Sequence, residues 1–319
     1  MIASAIAQVA RGRNGAQDLS IEQAKNVFYA LLDDAVDPLQ LGAFLIAERM
    51  KGETAEELAG FVLAARDRIN AYPSQAGHSD WIDLPCYAGK CRAAPAHLVA
   101  ALRWRDQGHA VIVHGVDQIA GRCTAWSLLQ KAGVSQATTL AEAEHLMATE
   151  KIAYIDLSVL CPPLMRLYGL RTQLGVRSFV NTVARLLNPL RCGGQLNGVF
   201  HTPYVKRMIA VNRHLKQPRS MVFMGAEGEP ELYSNRQKLT MLQTYDAVTT
   251  IKFQDTGHDL YPKTIHDKNT ITAQFLRMCG NEASEPERAR IERSMQALRW
   301  AKSGEAFWTK SEELLLQPF

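Results

Sequence analysis

A chain of 319 residues with 47% apolar and 21% charged residues has room for one large α/β unit or two modest domains, and this composition excludes a disordered tail, a collagen-like fibre and a disulfide scaffold. The net charge of +4 is unevenly placed: Leu157 to Ala226 holds ten basic residues and no Asp or Glu, leaving 26 basic against 32 acidic residues elsewhere. No apolar run approaches the roughly 18 residues that span a bilayer, so no membrane partner is expected. The apolar start, Ile2 to Ala10, has its basic residues Arg11 and Arg13 after it, the wrong polarity for a secretory signal, which points to the cytoplasm. Six cysteines without a C-x-x-C pair or a nearby His at zinc-finger spacing read as reduced, mostly packed thiols.

In chain order, the first seventy residues predict three helices. Ser20 to Gln23 is a capping box, Asp37-Pro38 is a cap followed by proline at the first helical position, and Thr54 to Glu57 is a second capping box. From Trp81 the period changes. Val111–Val113, Ile152–Ile155, Asn197–Phe200, Met221–Met224 and Val248–Ile251 are short β-rich runs mostly separated by helical patterns, as a largely parallel sheet requires. Met165 to Leu174 and Arg177 to Leu187 read as helices, and Thr202-Pro203 opens another whose polar face carries Lys206, Arg207, Arg213, His214 and Lys216. The fold class is therefore α/β, with a small helical domain and a larger α/β domain around a mostly parallel central sheet.

The acid-free stretch is a basic belt on an otherwise acidic body, whereas ordinary surfaces intersperse the two signs. An anionic partner follows: a phosphorylated small molecule, needing two or three of these charges, or a DNA or RNA backbone, using most of them. The candidate backbone contacts are Arg166, Arg171, Arg177, Arg185, Arg191, Lys206, Arg207, Arg213 and Lys216, with Arg219 the tenth belt residue. No zinc-finger spacing or aromatic-rich RNA-recognition signature is present, so unrelated sequences should bind alike.

Gln40 to Thr54 and Glu56 to Phe61, with Asp18-Leu19-Ser20 ahead of them, resemble the N-terminal helical domain of anthranilate phosphoribosyltransferases and related nucleoside phosphorylases. Val113-His114-Gly115, Leu174 to Arg177, Asn188-Pro189 and Gly198 to His201 match further signatures in the same order. The resemblance implies a helical domain of residues 1–71 with about 164–188, an α/β domain of 72–163 with 189–319, and a homodimer formed through the helical domains. The active-site signatures are altered. The Gly-Thr-Gly-Gly-Asp loop that wraps a diphosphate becomes Cys86-Tyr87-Ala88-Gly89-Lys90, the Lys-His-Gly-Asn signature becomes Val113-His114-Gly115-Val116, the serine-rich loop shrinks to Asp117–Arg122, and Pro230 replaces the metal-binding Asp beside Glu231.

This pattern, with Cys161 to Leu164 and the Arg11 to Asn14 start, is similar to the YbiB-type branch, the second class of anthranilate phosphoribosyltransferase-like proteins. That branch implies a dimer, no anthranilate transfer, and nucleic-acid binding with little sequence preference. The remnant cleft would comprise Tyr87, Gly89, Lys90, Arg92, His114, Gly115 and Arg177. Lys90 and Arg92 read equally as phosphate contacts or plain surface, and His114-Gly115 as catalytic remnant or strand end. Arg177 is expected to meet an anion. Glu231 is a weak metal candidate, because Glu227 and Glu229 flank it as a solvated acidic loop would. No cofactor is expected, magnesium entering only if the chain is a transferase or phosphorylase with an unidentified phosphorylated ribosyl substrate.

Overall fold

The computed structural model describes residues 1–12, 14–69, 78–233, 239–245, 247–252 and 261–306. Arg13, and residues 72–77 and 307–319 of the expected large domain, lie outside them. The chain runs through α1 (Ile2–Val9), α2 (Ile21–Leu32), α3 (Pro38–Lys51) and α4 (Ala55–Arg66) into β1 (His78–Cys86), α5 (Ala96–Asp106), β2 (Val111–Gly115), α6 (Ala125–Leu129), β3 (Gln136–Ala137), α7 (Leu140–Thr149) and β4 (Ile152–Asp156). Four short helices follow: α8 (Leu157–Leu160), α9 (Pro162–Gly169), α10 (Arg171–Leu174) and α11 (Val180–Ala184). Then come β5 (Cys192–Val199), α12 (Pro203–His214), β6 (Arg219–Met224), β7 (Leu239–Gln243), β8 (Val248–Lys252), α13 (Lys268–Cys279) and α14 (Glu285–Ser303).

The caps act as the sequence predicts. Ser20 and Thr54 accept the N–H three residues on while Gln23 and Glu57 return the bond, and Asp37 accepts from the Leu39 N–H beside Pro38. The additional helix α1 buries Ile2, Ala5 and Val9 against the same core. Phe179, just before α11, closes that core: its ring stacks on Phe61 at 4.2 Å, tilts against Phe28 and stands edge-on to Phe44. Such aromatic pairs add about 0.5–1.5 kcal/mol beyond area burial. Arg66 donates to the Leu186 and Leu187 carbonyls, 2.8 Å each. The small domain is thus assembled from two distant stretches. Leu19, Val27, Leu41 and Leu45 are all buried inside the chain. The exposed apolar positions of α3 are instead Leu39 and Met50.

The eight strands form one sheet in the order β3-β4-β2-β1-β5-β6-β7-β8, parallel from β3 to β6, with β7 and β8 antiparallel at one edge. β5 begins five residues before the expected run, at Cys192. Its glycines hide the strand period because neighbours press against them: a Cβ on Gly194 would stand 2.2 Å from the Ala301 carbonyl oxygen of α14. α5 and α14 pack together on one face, and α12 bridges β6 and β7 to α4. Among the described residues no helix is long and apolar enough to cross a membrane.

Where α3 meets α4, Lys51 ties Asp18, Glu48 and Glu57 at 3.0, 3.4 and 2.5 Å. Burial, then the adjacent Glu57, push the Glu48 carboxyl up to about 8 against the opposing pull of Lys51. With its folded pKa above its unfolded value, the native state binds the extra proton between about 4.5 and about 8, so this group stabilises most below 4.5 and its contribution is lost as pH rises to 8. Glu48→Gln should flatten the pH dependence of urea unfolding across that window and raise stability at pH 8 by about 1–3 kcal/mol.

Candidate functional site

The turn leaving β1 is the stretch that the resemblance sets against a diphosphate loop. Tyr87 folds inward; its hydroxyl lies 2.8 Å from His114 Nδ1, whose other nitrogen is 3.1 Å from Asp83. Gln195 donates to the second Asp83 oxygen at 2.7 Å, and the Tyr168 hydroxyl donates to the Tyr87 carbonyl at 3.0 Å. Tyr87 and His114 are therefore buried and engaged within the protein. Gly115 is required by packing, since a Cβ there would stand 2.3 Å from the Cys86 carbonyl oxygen. Gly89 holds a left-handed φ of 65°, a conformation that glycine adopts without the Cβ penalty.

The loop's N–H groups are already taken. Glu229 accepts from the Ala88 and Gly89 N–H groups at 2.6 and 2.5 Å, Glu227 from those of Cys91 and Arg92 at 3.1 and 3.2 Å, and Glu231 from that of Ala96, at the start of α5, at 3.2 Å. These three carboxylates are buried, which corrects the reading of a solvated acidic loop. Gly198 and Gly225 allow their segment to lie so close, since a Cβ on either would collide with the Glu229 backbone. Lys90 is buried too, 3.6 Å from Glu227 and 3.4 Å from Glu231, and corresponds neither to surface nor to an open phosphate contact. Arg122, from the shortened loop, donates to the Gly89 carbonyl and to Glu227. Arg92 donates to the Lys263 carbonyl at 2.7 Å.

Burial alone would raise the Glu231 carboxyl, but Lys90, the His97 hydrogen bond and Arg290 outweigh it and hold it at about 2. Magnesium does not fit here: Pro230 offers no donor, and the Glu231 oxygens face Lys90, His97 and Arg290.

A cleft of about 650 Å³ opens between the domains, beyond the end of β5. Arg49, Arg171, Arg177, Arg185 and His201 line it, with Glu53 the one carboxylate among the described lining residues. Glu53 is already 3.3 Å from Arg207. Burial, then the like charges of Arg171 and Arg185, lower the Arg177 pKa from its ordinary value, a sign of cations crowded without enough counter-charge. Arg185 is steadied by the Asn181 carbonyl at 3.1 Å. Phe200 is 57% exposed at the rim, with His201 edge-on to it at 4.8 Å.

The belt is divided by the fold. Arg171, Arg177 and Arg185 meet in the cleft, and Lys206 and Arg207 stand in the adjoining first turn of α12. Arg213 lies in the last turn of that helix and Lys216 just past its end, roughly 10–15 Å along the axis from Lys206. Arg191 precedes β5, roughly 25 Å of strand from the cleft. Arg166 pairs with Asp34 at 2.7 Å and donates to the Leu31 carbonyl, and Arg219 donates to the Ser79 and Ala301 carbonyls. Arg49, Arg122, Glu227, Glu229 and Phe200 are the site residues that sequence reasoning did not single out. The acidic pair carried one signal, carboxylates at alternate positions across Gly228.

Two domain models match: "Glycosyl transferase family, helical bundle domain" over residues 3–69, and "Glycosyl transferase family, a/b domain" over residues 93–302. The chain is 29% identical over 280 residues to the uncharacterized protein YbiB of Escherichia coli, covering 86% of each. It is 27% identical over 227 residues to an anthranilate phosphoribosyltransferase of Methanosphaerula palustris, covering 70% of this chain and 66% of that protein. The anthranilate phosphoribosyltransferase structure from Thermus thermophilus superimposes with a TM-score of 0.77 at 21% identity, covering 94% of this chain and 90% of that one, a likeness of fold.

Removing the internal anion should expose the loop. Glu229→Ala, which strands the Ala88 and Gly89 N–H groups, should cost about 2–6 kcal/mol in urea unfolding, about 1–3 for each donor, and Glu229→Gln less, because an amide oxygen can still accept both bonds. Millimolar pyrophosphate should raise the melting temperature of Glu229→Ala more than that of the wild type, as measured by scanning fluorimetry.

Proposed function

The chain belongs to the glycosyl transferase family described by those two domain models, with an anthranilate phosphoribosyltransferase-like scaffold of the YbiB type, and within that family we propose that it is a cytoplasmic, non-enzymatic binder of nucleic-acid backbone without sequence preference. One observation carries the reading. The loop that would wrap a diphosphate is filled by Glu227 and Glu229, while the cationic groups left available to an anion stand in the open cleft around Arg49, Arg171, Arg177 and Arg185. An arginine-lined groove engages phosphates, and the exposed Phe200 offers a ring on which a base can stack, which favours single strands. Arginines that contact phosphates position the strand and carry no sequence information, so binding through them is indifferent to sequence.

The second reading is a transferase or phosphorylase for an unidentified phosphorylated ribosyl substrate, favoured by the family itself and by the cleft's position at the C-terminal end of β5. The proposed assembly is a homodimer through the helical domain. Leu39, Ala43, Ile46 and Met50 recur at the spacing of one helical face on α3, and Leu39 and Met50 are 81% and 78% exposed. Leu39→Glu with Met50→Glu should halve the mass seen by light scattering at micromolar concentration.

Polarisation titrations with two unrelated single-stranded oligonucleotides should give similar affinities and a slope of log affinity against log salt near −0.7 per phosphate neutralised. Arg171→Glu with Arg177→Glu should weaken binding at least tenfold and reduce that slope. Phe200→Ala should cost about 1–3 kcal/mol with the slope unchanged. Arg191→Glu and Arg166→Glu should have little effect. A flat salt response, or steady-state turnover of a phosphoribosyl substrate, selects the second reading.

A further inference from the structure

No cysteine has metal-type spacing in the sequence, yet the fold brings one to a histidine and a carboxylate. Cys86 ends β1, His97 stands in the first turn of α5, and Glu229 arrives from the acidic segment. Their ligand atoms lie within 4.8 Å of one another, and all three residues are buried. We propose that Cys86, His97 and Glu229 hold a divalent transition-metal ion of the zinc class.

Four features support the site. The Cys86 Sγ to His97 Nε2 separation is 3.7 Å, close to the ~3.6 Å that a thiolate and an imidazole span when they share a tetrahedral zinc at ordinary bond lengths. His97 Nδ1 is 3.2 Å from Glu231 Oε2, the carboxylate–histidine pairing that fixes the tautomer and turns the other ring nitrogen toward an ion. Glu229 spends Oε1 on the Ala88 and Gly89 N–H groups, whereas its Oε2 is buried with no hydrogen-bond partner. A cavity of about 10 Å³ adjoins all three residues, enough for an ion. Lys90 also borders it, but its charge is matched by Glu227 and Glu231.

A sulfur, an imidazole nitrogen and one carboxylate oxygen suit zinc, cobalt or nickel, and exclude magnesium by ligand type. Binding forms the sulfur–metal bond as the Cys86 thiol releases its proton to water. The ion would join the end of β1, the start of α5 and the acidic segment through one atom, locking the loop in its self-filled form. The proposal stands apart from the nucleic-acid reading, since neither the cleft nor its arginines take part.

Full-length protein stripped with a chelator and titrated with Co²⁺ should take up one equivalent per chain, with a thiolate-to-cobalt charge-transfer band and the intense visible bands of a four-coordinate ion, both displaced by Zn²⁺. Cys86→Ser should abolish the charge-transfer band, and His97→Gln should weaken uptake at least 100-fold. Glu231→Gln should weaken uptake about 10- to 100-fold. Cys91→Ser and Cys123→Ser, the other cysteines nearby, should leave the spectrum unchanged. Circular dichroism checks that each variant folds, and the wild-type spectrum tests the proposal even where a variant does not. Uptake below one equivalent by the wild type at micromolar metal, or a charge-transfer band that survives Cys86→Ser in a folded variant, would overturn it.

Discussion

Three carboxylates accepting the backbone N–H groups of the loop after β1 are the constraint on which the rest of this structure depends. A loop that presents several N–H groups toward one point is an anion site by construction, and it is stable only with an anion there. Here the anion is covalently part of the chain. Glu227, Glu229 and Glu231 meet donors at Ala88, Gly89, Cys91, Arg92 and Ala96, and the arrangement is neutralised by Lys90, Arg122 and Arg290. Each stranded buried donor would cost about 1–3 kcal/mol, so a free diphosphate must displace an internal ligand that is already desolvated and held in place.

Other departures from the expected loop follow from that contact. Lys90, an odd replacement for an acid beside a phosphate site, is the counter-ion of two buried carboxylates. Arg122 holds both the Gly89 carbonyl and Glu227 with one guanidinium. Tyr87 packs inward and places its hydroxyl at His114. With this pocket closed, positive charge remains available to an anion in the cleft between the domains, where Arg177 sits among like charges.

The parts legible in the sequence were those written locally. Ser20, Asp37 and Thr54 announce their helices because a cap and its partner lie within three residues. Strands β2, β4, β6 and β8 and the end of β5 show as β-branched or apolar runs, whereas the first five residues of β5 are masked by glycines set by the approach of α14. Phe179 reads as an ordinary apolar residue, although it completes an aromatic cluster with residues more than a hundred positions earlier. The ten belt charges were visible, but not which end of each element faces the cleft, since that depends on the direction of β5 and α12. The partners of Lys90 are 137 and 141 residues away, so a lysine next to a glycine loop suggests phosphate until the carboxylates are placed around it.

Under the proposed function, added anions bind in the interdomain cleft while the loop after β1 stays filled by its own carboxylates. Hydrogen–deuterium exchange of the full chain, with and without a single-stranded oligonucleotide, tests this directly. Protection should appear in residues 170–185 and 199–208, with the amides of Ala88, Gly89, Cys91 and Arg92 slow in both states and unchanged by the ligand. Protection that appears at 87–96 and leaves 170–185 unaffected would contradict it.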